Sequence, residues 1–313
     1  METAFRAALR GERPGKAVGL VCLYDAVAAV RPDGRTEPVH SCGHGPIAGG
    51  VVGAALALAE LRDRLAGTVV VMGCPADEIH APGTIARGGG KALSAEAGLW
   101  NDVDAALYAH PEFIDTVSLE SRWMQRAIAT VPGLRSLASS AQSPLEAALA
   151  ALETARAHVP DDVMLERLEL DGDVEEGTGL VLRAIFLVFA DEEEGVEKGL
   201  SAVRAALPQA SWQLGRLVEA VRPDDRVTAA VAEAFRALGR DFVTDPPRLP
   251  FATDFGNISR RCPAALIGVG RDGGWSFHTD EGAAQFASPA GEDAALTIAQ
   301  VLALAAADLT EPR

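Results

Sequence analysis

The sequence predicts an α/β protein whose central sheet is mostly parallel and flanked by helices, with a smaller α+β unit inserted into it. Three observations predict this. A continuous apolar run at residues 17–23 suits a strand buried on both faces, further strand-like apolar stretches lie at 68–73, 103–109 and 264–268, and stretches of helical periodicity alternate with them. Between 118 and 222 the pattern becomes one of strand-like stretches and two helices, a small α+β unit, after which the first pattern returns. Finally, 313 residues exceed what a single compact core usually holds.

The elements follow in order. Ala17-Val18-Gly19-Leu20-Val21-Cys22-Leu23 opens the sheet, and residues 47–65 carry Ala, Val and Leu at helical spacing with charges towards the end, a helix that covers it. Residues 68–73 give the next strand. Gly88-Gly89-Gly90-Lys91 then turns into a short helix ending near 99, and 103–109 gives another strand. That glycine run lacks the Walker spacing and the Ser or Thr after its Lys, so it reads as a tight turn that lets backbones approach, not as a phosphate loop. In the middle, 123–131, 164–170, 180–190 and 211–221 are strand-like, while 144–158 and 192–207 are helical, the first with a Ser143-Pro144 start. A helix after Asp224-Asp225, the strand 264–268 and a final helix 289–306 complete the chain. The expected division is 1–117 with 223–313, and 118–222.

Composition excludes several classes. A formal charge of −16 argues against a nucleic-acid partner, which needs clustered Lys and Arg. With 48% hydrophobic residues and a mean hydropathy of +0.12, the chain can build a sizeable core, yet no run is expected to cross a bilayer. Cys22, Cys42, Cys74 and Cys262 stand singly, the usage of a reducing cytosol. Met1-Glu2-Thr3-Ala4-Phe5-Arg6 has no apolar h-region, so no signal peptide is expected, and a cytoplasmic location follows.

The chemistry centres on His40-Ser41-Cys42-Gly43-His44, where a thiol and an imidazole two positions apart can meet one metal ion. Asp77-Glu78 follows the strand 68–73, His110 ends the next, and His278 sits in a turn after 264–268. Strand ends of open α/β sheets are where ligand sites form. Thiolate, imidazole and carboxylate together suit zinc or manganese.

In order along the chain, Leu23-Tyr24-Asp25-Ala26, His40-Ser41-Cys42-Gly43-His44, Pro75-Ala76-Asp77-Glu78, the glycine turn, Ala109-His110-Pro111, Thr253-Asp254-Phe255-Gly256-Asn257 and His278-Thr279-Asp280-Glu281 resemble the motifs of the M20 metallopeptidases and amidohydrolases, in the branch acting on N-acyl amino acids and dipeptides. The resemblance implies hydrolysis of a small-molecule amide or peptide by metal-activated water. It implies two divalent ions, Zn2+ or Mn2+, with Cys42, His44, Glu78, His110 and His278 as ligands and Asp77 as general base. It also implies a ferredoxin-like inserted domain that serves as lid and dimerisation surface, hence a homodimer. Asp25 would orient a ligand imidazole, and Asp254, Asn257 and Glu281 would be outer contacts of the metals or the substrate.

The chain departs from the family at several points. Asp77 stands where the family has Glu, and a base displaced by about an ångström loses on the order of a hundredfold in rate. Gly45 replaces an Asp or Asn, Leu137 falls where a His stabilises the oxyanion, and Phe189 falls where an Arg meets the substrate carboxylate. His80, in an apparent insertion after Glu78, offers a replacement donor. Two readings stay open: a dinuclear amidohydrolase in which Leu137 and Phe189 line an apolar pocket, and a binding or regulatory protein that holds metal with little turnover.

Overall fold

The computed structural model describes residues 3–78, 85, 87–134, 150, 153, 160–171 and 180–312. The chain divides into two compact units. Residues 1–80, 89–121 and 221–313 form the first, and 81–88 with 122–220 form the second. Residues 81–88, placed by the sequence pattern with the first part, thus group with the second.

The first unit is built on a five-stranded sheet of order β1-β5-β2-β6-β11, comprising β1 (Phe5–Arg10), β2 (Arg13–Leu23), β5 (Ala66–Cys74), β6 (Ala105–Glu112) and β11 (Ala264–Gly270). Only β1 runs antiparallel to its neighbour; Leu20 pairs in parallel with Val71 on one side and Leu107 on the other. Val18, Leu20, Val21, Leu107 and Ile267 are wholly buried, as expected of central parallel strands. Gly19 is required beside Trp100, because a Cβ there would lie 2.5 Å from the buried indole. The helices are α1 (His44–Glu60), α2 (Gly90–Glu96), α4 (Asp225–Ala237), α5 (Phe255–Ser259), α6 (Asp280–Phe286) and α7 (Pro289–Thr310).

Helix α1 begins three residues earlier and ends five earlier than its periodicity predicts. Gly43, with φ 85°, takes the left-handed turn that lets the helix start at His44, and the charged stretch after Glu60 forms turns. Helix α7 corrects the expectation about bilayers: by length and composition, with a mean hydropathy of 1.4, it is apolar enough to cross one. Its alanine-rich face instead packs on α1, α4 and the sheet, with Ile298, Val301, Leu302 and Ala305 fully buried, which is the reading of a core helix. A hairpin of β3 (Val27–Val30) and β4 (Thr36–Val39) was invisible to periodicity because its strands have four residues each and are largely exposed.

The second unit is a four-stranded antiparallel sheet of order β10-β7-β9-β8, formed by β7 (Trp123–Leu134), β8 (Val163–Asp171), β9 (Leu180–Ala190) and β10 (Ser211–Val218). Helix α3 (Glu193–Ala206) packs Val196, Leu200 and Val203 on Trp123, Ala127, Phe186 and Val188. The expected helix 144–158 lies outside the described residues except for Ala150 and Glu153, and Leu137 and His80 lie outside them as well.

Candidate metal centre

Asp25, Glu78 and His110 sit at or shortly beyond the C-terminal ends of β2, β5 and β6, His278 sits in the segment between β11 and α6, and Cys42 and His44 sit where the β3-β4 hairpin leads into α1. The backbone is forced into place at two of these points. Ala76 (φ 59°) and His278 (φ 60°) are the only non-glycine residues among those described with left-handed backbone, a conformation that costs free energy and tends to be kept at functional sites. The His278 amide donates to the Ser41 carbonyl at 2.8 Å, tying the late turn to the cysteine segment.

These elements bring all five expected ligands together. Donor atoms of Cys42, His44 and His110 lie within 4.8 Å of one another, and so do those of Cys42, Glu78 and His278. Cys42 is common to both groups. Its Sγ is 3.9 Å from His110 Nε2 and 3.2 Å from His278 Nε2, which is itself 3.3 Å from Glu78 Oε1.

Second partners orient the rings. His44 Nδ1 is 3.0 Å from the Asp25 carbonyl and 3.1 Å from Asp25 Oδ1, and His110 Nδ1 is 2.7 Å from the Pro111 carbonyl and 3.5 Å from Glu112 Oε1. With Nδ1 occupied, each ring turns Nε2 inward, the arrangement that fixes metal-ligating imidazoles. Asp25 also accepts from the Asp77 and Glu78 amides at 2.8 and 2.9 Å, so one carboxylate holds two ligand segments. Glu112 carries no sequence signal beyond lying two residues from His110.

The electrostatics favour a cation. Burial pushes the Cys42 thiol up, but the surrounding imidazoles outweigh it and hold it down to about 6. Burial likewise disfavours charge on His44, yet Asp25, Asp77 and Cys42 raise it to about 12; His110 and His278 rise to about 10 beside Cys42, Glu112 and Glu78. His44 Nε2 is buried with no hydrogen-bond partner among the described residues. A thiolate, several carboxylates and an orphaned imidazole nitrogen make a donor set that fits divalent metal ions.

Asp77 lies beside this cluster, its Oδ2 3.6 Å from His44 Nε2. Its Oδ1 is bonded to Lys91, a residue the sequence offered only as part of a glycine turn. Burial alone would raise the Asp77 carboxyl, but Lys91 and His44 hold it well below the usual range. Asp254, which is buried, is 2.9 Å from Lys91 Nζ and accepts from the Ala92 amide. Asn257 is buried in α5, whereas Glu281 is exposed and accepts from Gln285 at 3.4 Å. Phe189 pairs in register with Met124 in the second unit, its ring 6.0 Å from the Arg122 guanidinium.

Known proteins resemble this chain along most of its length. It is 23% identical to an N-acetylcysteine deacetylase of Bacillus subtilis over 89% of this chain and 79% of that one. A shorter stretch, 98 residues covering 30% of this chain and 19% of the other, is 36% identical to a mouse Xaa-Arg dipeptidase. Among solved structures, the YXEP protein of Bacillus subtilis, described as a dinuclear metal-binding peptidase, superposes with a TM-score of 0.68 at 20% identity, covering 99% of this chain and 85% of that one. Residues 22–307 match peptidase family M20/M25/M40, nearly the whole chain, and the protein belongs to that family of metal-dependent hydrolases.

Proposed function

We propose that the protein hydrolyses the amide bond of an N-acyl amino acid or dipeptide-like small molecule, using two divalent ions that Cys42, His44, Glu78, His110 and His278 would hold. The observation that carries this is the pair of three-residue donor groups meeting at the Cys42 thiol. Cys42, His44 and His110 would hold one ion, and Cys42, Glu78 and His278 the other, zinc and manganese being the metals that suit these donors. Bound there, the ions supply Lewis acidity, polarising an amide carbonyl and making water acidic enough to attack near neutral pH. Asp77, beside His44, takes the water proton and returns it to the leaving amine. Phe113 and Phe277, 5.9 Å apart with Phe277 5.7 Å from His110, give the neighbourhood of that ligand an apolar wall suited to an acyl group. A homodimer in the cytoplasm completes the reading; the exposed apolar side chains of edge strand β8 and the singly placed cysteines support it.

One observation favours the competing reading, a metal-holding protein without turnover: a carboxyl held as low as that of Asp77 is a weak base. Hydrolysis of a panel of N-acyl amino acids and dipeptides decides between them. Asp77→Asn should lower kcat by about 10²–10⁴-fold with metal content intact. No turnover by the metal-loaded wild type on the whole panel would overturn the hydrolase reading.

A further inference from the structure

Lys91 is 1% exposed, and an ammonium group so placed persists only when opposite charges and hydrogen bonds surround it. Two carboxylates do so: Asp77 through Oδ1, and Asp254 through Oδ1 at 2.9 Å. Asp254 is itself fixed, since its Oδ2 accepts from the Ala92 amide at 3.0 Å, in the first turn of α2. Gly89 makes room for it, because a Cβ at that position would fall 2.2 Å from the same oxygen. Gly90 closes the cradle, where a Cβ would lie 2.0 Å from the Pro75 carbonyl oxygen. The glycine run therefore exists to seat a lysine between two acids.

Seen from Asp77, this leaves little freedom. Asp25 Oδ2 accepts from its amide at 2.8 Å, so the backbone is set. What remains is side-chain rotation, about Cα–Cβ and more loosely about Cβ–Cγ, a broad and roughly two-fold torsion in aspartate. Lys91 removes it by engaging Oδ1, which leaves Oδ2 turned to the ligand side, 3.6 Å from His44 Nε2.

We propose that Lys91, braced by Asp254, is a positioning residue that fixes the Asp77 carboxylate so that Oδ2 alone faces the metal ligands. An aspartate reaches the ligands through a side chain of only two torsions, and the contact behind it with Lys91 selects the pose in which Oδ2 faces His44. The inference rests on the hydrolase reading for its kinetic consequence and not for its geometric one.

The test compares metal-loaded wild type, Lys91→Met and the double variant Lys91→Met/Asp254→Asn by crystal structure, metal content, kcat and KM. The double variant removes the cation together with one of the buried carboxylate charges, and it decides the matter if the single variant does not fold. With Lys91 gone, the Asp77 carboxylate should rotate or occupy several orientations, kcat should fall about 10²-fold, and KM and metal content should stay unchanged. An Asp77 carboxylate in the wild-type orientation in the variants overturns the proposal, whatever the rates. So does a loss of activity that comes with lost metal or with a matching rise in KM. Rotation of Asp77 in a protein whose wild type has no turnover supports the positioning role while the hydrolase reading falls.

Discussion

At the scale of single residues, the centre is a thiolate collecting three imidazoles. Cys42 is held at about 6 while His44, His110 and His278 rise to between about 10 and 12, so without metal the imidazoles keep their protons through neutral pH. A metal ion must displace those protons, because it binds imidazole in its neutral form. The sign follows: affinity falls as pH falls, and it falls further below about 6, where Cys42 also takes up a proton. Calorimetric titration with zinc at pH 7, in two buffers of different ionisation heat, should show about three protons released per chain, one from each imidazole. Heats independent of the buffer would mean the rings are already neutral. Cys42, His44, His110 and His278 drew notice in the sequence as rare residue types, and Glu78 through its place after an apolar strand and its likeness to the family motif; the structure brings all five together. Glu112 and Lys91 drew no such notice: the first is an ordinary carboxylate, and the second is hidden in a glycine run whose reason, seating that lysine against Asp254, exists only in three dimensions.

Among the elements, the pairing of α1 with α7 sets where His44 stands. The two helices approach closely because Gly50 faces Ile298, and a Cβ there would lie 2.4 Å from Ile298 Cγ2 and 2.9 Å from the Ala295 carbonyl oxygen. Gly50→Ala should therefore destabilise the protein by about 1–3 kcal/mol through overpacking, although alanine is the better helix former. Thermal or denaturant unfolding reads this directly, and unchanged stability would show that the helix pair can slide apart without cost. Long buried strands such as β2 and β9 could be placed from apolar runs alone. The start of α1 could not, since Gly43 and His44 carry no apolar periodicity and the helix begins there because a left-handed glycine permits it. The β3-β4 hairpin escaped for a related reason, its strands being too short and too exposed to show alternation.

For the whole molecule, the two-part division was readable from the change in pattern near residue 120, whereas the assignment of 81–88 to the second unit depends on contacts made far along the chain. Strand β8 edges the second sheet and exposes Met164, Leu165, Leu168 and Leu170, an apolar edge of the kind that pairs with another copy. Sedimentation should find a dimer, and Leu168→Lys should shift it towards monomer; a wild-type monomer at micromolar concentration would show that β8 pairs with no second copy. Elemental analysis of metal-saturated, desalted protein shows whether one thiol serves two metal sites. Wild type should hold about two divalent ions per chain, His44→Ala and Glu78→Ala about one each, and Cys42→Ala none. Retention of one full equivalent in Cys42→Ala would contradict the shared thiol.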